Sequence, residues 1–211
     1  TKSKYAVVLN SATSALHVAC LSLNLKKNDY LWTSSNTFIS SATSGIHCGA
    51  KINFVDIDLD TGNLSVLDLE KKLINAKKTK SLPKILVVVH FAGIPCDMKK
   101  IWYLSKKYDF KIIEDASHAL GAKYHDSNIG NCRFSDVCIF SFHPIKSITT
   151  FEGGAITTNS KKIYELSKLI SNHGIVKNLS QKKKWLYDQK LLGFNFRMSD
   201  VSCALGISQI K

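Results

Sequence analysis

The chain has 211 residues, 45% of them apolar, and a formal charge of +13. That suffices to bury a substantial core, in one domain or two small ones. Of its 29 basic residues only Arg133 and Arg197 are arginines, and the lysines stand singly or in short runs such as 182–184, with no interleaved aromatic platform. Nucleic-acid readers use arginine forks and stacking rings. The charge therefore reads as a solvated lysine surface able to steer an acidic ligand, and no nucleic-acid partner is expected. Six cysteines (Cys20, Cys48, Cys96, Cys132, Cys138, Cys203) show no C-x-x-C pair and no framework spacing, as befits reduced thiols in the cytoplasm. No stretch has the apolar length of a membrane span, and no secretory signal is present.

Strand and helix patterns alternate, which predicts an α/β layer fold with a mostly parallel sheet flanked by helices. Tyr5–Leu9 reads as a buried strand, followed by Asn10-Ser-Ala-Thr-Ser14 and a helix to about Asn24. Tyr30–Thr33 is a short strand, and Asn36 is expected to cap a helix running to about Cys48. Lys51–Ile57 is a strand ending in a turn shaped by Asp56, Asp58, Asp60 and Gly62. Val66–Lys77 has helical periodicity, Lys84–Phe91 is a strongly apolar strand, and Asp97 caps a helix over Met98–Tyr108. Phe110–Glu114 and Asp136–Phe142 are strands. Gly153–Thr158 is another, antiparallel because so few residues precede it. Ser160–His173 is helical, 175–184 is polar and lysine-rich, and Asp200–Ile210 opens one more helix. Trp32, Trp102 and Trp185 read as core or helix-face rings. No repeat or linker divides the chain, so one domain over residues 1–211 is expected. A start without methionine and a stop at Lys211 inside a helical pattern suggest a piece truncated at both ends.

Three stretches carry chemistry. In Asn10-Ser-Ala-Thr13-Ser14-Ala-Leu16, small residues join a strand to a helix N-terminus, which is a plain N-cap or an anion seat with hydroxyl donors. Ile112-Ile-Glu-Asp115-Ala-Ser-His118 ends a strand in a carboxylate at the sheet edge where such folds bind ligands. Asp115 can pair with a protonated ring nitrogen and His118 with a phenolate oxygen; a strand-end cap and a partly buried histidine are the alternatives. Ser141-Phe-His-Pro-Ile-Lys146 delivers a hydroxyl and then an amine after a buried strand, with Gly153-Gly154 allowing close approach or positive φ nearby. A nucleophilic lysine must be neutral, which burial beside a cationic group promotes. Alone, Lys146 is one surface lysine among many. His17, His47, His125 and His173 show no metal-ligand spacing, so no metal is expected; His90 and His143 stand near the proposed pocket.

Together these stretches and their order resemble the DegT/DnrJ/EryC1 sugar aminotransferases, which have the aspartate-aminotransferase (type I) fold of pyridoxal-phosphate enzymes. The resemblance runs almost the whole chain, through Asn36-Thr-Phe38, Val55-Asp-Ile-Asp58, Val89-His-Phe-Ala-Gly93 and Gly193-Phe-Asn-Phe-Arg197-Met-Ser-Asp200 as well. It implies a large domain with pyridoxal 5'-phosphate on Lys146 as a Schiff base. Asp115 then holds the pyridinium nitrogen, His118 neighbours the ring oxygen and Phe38 stacks on the ring. Thr13, Ser14 and Ser141 match phosphate-binding positions, and Asn195 matches a residue given across a homodimer to the neighbour's phosphate. The implied reaction transfers an amino group, with L-glutamate as donor, to a nucleotide-linked 4-keto-6-deoxy sugar. The wording around Lys146 and His90 is similar to the branch acting on UDP-hexosamines for pseudaminic-acid-type surface sugars.

Two positions depart from the family pattern. Phe151 stands where Gly-Glu-Gly-Gly usually begins, and Ala12 stands where the first loop commonly has glycine. The resemblance also implies an N-terminal segment and a C-terminal small domain outside residues 1–211, so this piece alone is expected to be incomplete. Sugar dehydratases of the same fold carry histidine where Lys146 stands, which favours transamination. A non-catalytic relative that keeps the pocket is the remaining alternative.

Overall fold

The computed structural model describes residues 1–177 and 185–210; most of the lysine-rich stretch and Lys211 lie outside them. In chain order the elements are β1 (Tyr5–Leu9), α1 (Ala12–Ser22), β2 (Tyr30–Ser34), α2 (Ser40–His47), β3 (Lys51–Val55) and α3 (Val66–Thr79). Then come β4 (Ile85–Val89), α4 (Met98–Tyr108), β5 (Lys111–Asp115), β6 (Lys123–Tyr124), β7 (Ser127–Asn128) and β8 (Val137–Ser141). The last are β9 (Gly154–Thr158), α5 (Lys161–Ser171), β10 (Ile175–Val176), β11 (Asp188–Gln189) and α6 (Asp200–Gln209).

Seven strands form one sheet in the order β1-β9-β8-β5-β4-β2-β3. Strands β8, β5, β4, β2 and β3 pair in parallel, and β9 runs against both β8 and β1. The apolar runs of the central strands follow from burial on both faces. Ile85, Val87 and Ile113 pack with Leu16, Val18 and Ala19 of α1 and with Ile163 and Ile170 of α5. The alternate residues Leu86, Val88 and Ile112 pack with Leu69 and Leu73 of α3 and with Ile101 and Leu104 of α4. Helix starts are set by side chains: Ser11, Ser65, Asp97, Ser160 and Ser199 each accept a backbone N–H of the first turn.

Three expectations are corrected. Tyr5–Leu9 is an edge strand with alternating burial, with Val7 and Leu9 inside and Val8 exposed. Its one strand partner is β9, and the far edge meets only a bridge from Leu9 to Arg197 among the described residues. Asn36 does not cap α2: the helix begins at Ser40 after Ile39, which makes no side-chain cap bond. Ser34 Oγ instead donates to the Asn36 carbonyl, holding residues 35–39 as a turn between β2 and the helix. Trp185 is exposed, in a turn, whereas Trp32 lies in the core and Trp102 on a half-exposed face of α4.

Gly154 fixes how closely β9 and the start of α1 approach. A Cβ there stands 2.5 Å from the Ala12 nitrogen and 2.5 Å from the Ser11 carbonyl carbon. The close approach, rather than a positive φ, is what this glycine permits. Gly154→Ala is expected to destabilise the protein by about 1–3 kcal/mol through overpacking, read as a lowered midpoint in urea denaturation.

Candidate active site

The carboxyl ends of β4, β5 and β8, the N-terminus of α1 and the β2–α2 turn enclose a cavity of about 530 Å³. This is where an open α/β sheet offers a crevice. Asp115 ends β5 at its floor, only 5% exposed. Burying a carboxylate is costly unless its oxygens are hydrogen-bonded. Ser41 Oγ donates to Oδ2 at 2.9 Å, and Ser117 donates to Oδ1 through Oγ at 2.6 Å and its backbone N–H at 3.2 Å. Its neighbour Glu114 points the other way, accepting from Ser135 and meeting His90 Nε2 at 2.9 Å.

Lys146 lines the same cavity, so the two residues expected to flank a ligand do share one face of the sheet. Its segment is held at both ends. Phe142 N–H donates to the Gly153 carbonyl, and Thr150 N–H donates to the Phe142 carbonyl, both at 2.9 Å. Desolvation pulls the Lys146 pKa below the usual lysine value, and Asp115 opposes that shift in part. His118, on the cavity wall, also has a lowered pKa, from desolvation first and then from the Lys146 charge. His143 and Glu152 line the cavity beside them, with His143 Nε2 3.8 Å from Glu152 Oε1.

At the opposite wall Ser11 caps α1. Ser14 and Ala15 turn their N–H groups onto Ser11 Oγ and the Ser11 carbonyl, leaving Ala12–Thr13 as the anion-attracting end. Thr13 and Ser141 line the cavity, as does Phe38, whose side chain is 73% exposed. Ser14 does not: its hydroxyl accepts from Ser11 Oγ within the cap, and Ser11 lines the cavity in its place. Asn195 is also off this lining, exposed on a bridge to Asn172. His90 borders the cavity at 1% exposure, but Nδ1 accepts from Cys96 N–H and Nε2 meets Glu114. Both ring nitrogens are thus committed within the protein.

Sequence reasoning missed Ser41, Ser117 and Thr37. Only Ser117 carried a signal, since a serine two residues after a strand-end aspartate can close a local turn. Phe151 sits at φ +64°, in the left-handed region where the family pattern has glycine. An L-residue there costs about 1–2 kcal/mol.

Residues 1–211 match the model of the DegT/DnrJ/EryC1/StrS aminotransferase family, and the chain belongs to that family. A UDP-4-amino-4,6-dideoxy-N-acetyl-beta-L-altrosamine transaminase of Campylobacter jejuni is 46% identical over 208 residues, 99% of this chain and 52% of that protein. Helicobacter pylori PseC, an aminotransferase involved in the biosynthesis of pseudoaminic acid, is 35% identical with a TM-score of 0.86. The likeness covers 99% of this chain and 53% of that one. The PMP form of Spr1654 from Streptococcus pneumoniae is 28% identical with a TM-score of 0.88, covering 100% of this chain and 57% of that one. The chain spans about half the length of these relatives.

The lowered Lys146 pKa gives a signed stability prediction. Below its folded pKa the half-buried ammonium is held at a cost, and the unfolded chain binds the proton more readily. The penalty disappears once pH passes the unfolded value of 10.5. Lys146→Met is therefore expected to stabilise the ligand-free protein near neutral pH. The gain should shrink as denaturation is repeated toward about pH 10.5.

Proposed function

We propose that the chain is the cofactor-binding domain of a longer aminotransferase that uses pyridoxal 5'-phosphate to aminate a nucleotide-linked 4-keto-6-deoxy sugar, with L-glutamate as donor. The observation that carries this reading is one cavity holding a single half-buried lysine, Lys146, in the connection after β8, and a buried carboxylate, Asp115, at the end of the neighbouring strand β5. Family membership and the relatives' transamination of amino sugars support the substrate class.

The residues present fit that cofactor. Asp115 offers an acceptor to a ring N–H. The α1 N-terminus with Thr13, and Ser141 across the cavity, offer donors to a phosphate. Phe38 presents an uncovered ring for stacking, and His118 can meet the ring oxygen. When bound, pyridoxal phosphate supplies an electron-accepting ring that stabilises charge on the carbon losing its proton.

The chain's own groups perform the rest. Lys146 Nζ would hold the cofactor through its aldehyde carbon, with loss of water, and as a free amine would serve as the base toward the substrate carbon. Its lowered pKa raises the neutral fraction available for both tasks. Asp115 keeps the ring nitrogen protonated. Ser14 acts behind this wall, holding Ser11 and the α1 cap in place. Asn195, exposed and off its own cavity, reaches the partner subunit's phosphate in a homodimer. The enzyme works in the cytoplasm, and no helix among the described residues is long and apolar enough to cross a membrane.

Borohydride reduction of the full-length protein with pyridoxal phosphate should fix the cofactor on the peptide containing Lys146, as read by mass spectrometry. Lys146→Ala should lose both this adduct and the visible absorbance. Adduct formation at another lysine in that variant overturns the assignment. Glutamate should bleach the visible band of the parent, and a band unmoved by glutamate rules out that donor.

A further inference from the structure

We infer that Ser41, Ser117 and Thr37 are positioning residues for Asp115: Thr37 and Ser41 form a one-way line of hydroxyls to Oδ2 while Ser117 fills Oδ1, which leaves Oδ2 as the oxygen for the ligand's ring N–H. This deepens the functional reading above and rests on Asp115 being the ring-nitrogen partner.

The direction of the line follows from counting hydrogens. A carboxylate only accepts, and a serine hydroxyl has one hydrogen to give. Ser41 spends its hydrogen on Asp115 Oδ2 at 2.9 Å. The 2.8 Å contact between Ser41 Oγ and Thr37 Oγ1 must then be donated by Thr37. The order is Thr37 to Ser41 to Asp115.

The two carboxylate oxygens differ in what remains. Oδ1 accepts twice, from the Ser117 hydroxyl and the Ser117 backbone N–H, which uses both of its in-plane lone pairs. Oδ2 accepts once, from Ser41, and keeps one lone pair. Asp115 lines the cavity, so Oδ2 is the atom left to receive a donor from within it. Ser41 is fully buried in the first turn of α2, and its fixed backbone leaves that hydroxyl little freedom. Thr37 lines the cavity next to Phe38, so the turn that offers the stacking ring also starts the line that fixes the carboxylate.

The test compares full-length apoprotein binding pyridoxal phosphate with binding of its 1-deaza analogue, in which carbon replaces the ring nitrogen. The parent should prefer the natural cofactor. Ser41→Ala should lose about tenfold of that preference, the worth of one hydrogen bond to a charged group, while its affinity for the deaza analogue stays at the parent value. Ser117→Ala should lose less, because the Ser117 N–H still holds Oδ1. The pH at which the bound cofactor's visible band titrates should shift in Ser41→Ala and shift less in Ser117→Ala.

A Ser41→Ala protein that keeps the parent's full preference overturns the inference and leaves Asp115 as ring partner. Equal loss of affinity for both compounds overturns it too, since that marks a merely structural role. A parent that binds both compounds equally overturns the reading of Asp115 itself. Should Ser41→Ala fail to fold, Thr37→Val carries the same comparison. About threefold of the preference should go, and Thr37→Ser should restore it; no loss in Thr37→Val overturns the line of hydroxyls.

Discussion

A carboxylate with 5% of its surface exposed persists at the end of β5 only because three protein donors meet it. The architecture around Asp115 is arranged to bring those donors together. Two come from the residue just past the strand. The third comes from a helix that packs on the sheet only after the chain has made β2 and a tight turn. The parallel order β8-β5-β4-β2 brings that helix and the lysine-bearing segment to the same cavity as the carboxylate, from the two sides of β5. Removing the sheet order removes the convergence.

Neighbouring acids on one strand take opposite fates for the same reason. Side chains alternate across a sheet, so Glu114 faces the α3/α4 layer and Asp115 the α1/α2 layer. Glu114 is closed off by His90 and Ser135. Its pairing makes His90 a buried structural residue even though it borders the cavity. Asp115 has hydroxyls on its flanks and open volume ahead. One strand thus supplies a sealed polar pair to one layer and a cavity-facing carboxylate to the other.

Much of this was legible in the residues. The apolar runs at 85–89 and 137–141 could only be central strands, and Asp97 capped the helix it preceded. Asp115 stood at a strand end, a position the fold turns into a crevice, whereas Lys146, past the end of β8, stood out only in the company of the other stretches and through the family resemblance. Two of the misses depend on partners distant in sequence. Whether Tyr5–Leu9 is central or edge is decided by β9, about 150 residues later. Asn36 has the chemistry of a cap, but its carbonyl is drawn to Ser34 and the helix starts later. Ser41 sits in a run of small polar residues with no local hint that its hydroxyl reaches a residue 74 positions away. Phe151 departs from the family pattern in its side chain yet keeps the backbone geometry a glycine would adopt.

The reversal of β9 has a further effect. Because that strand comes straight back beside β8, the segment bearing Lys146 is a pinned hairpin arch and not a crossover that must travel to another part of the sheet. An arch tied at both feet gives its amine a small volume to explore, so the group's local concentration over the pocket is high before anything binds. The amine's position is thereby set by the geometry of a short return connection.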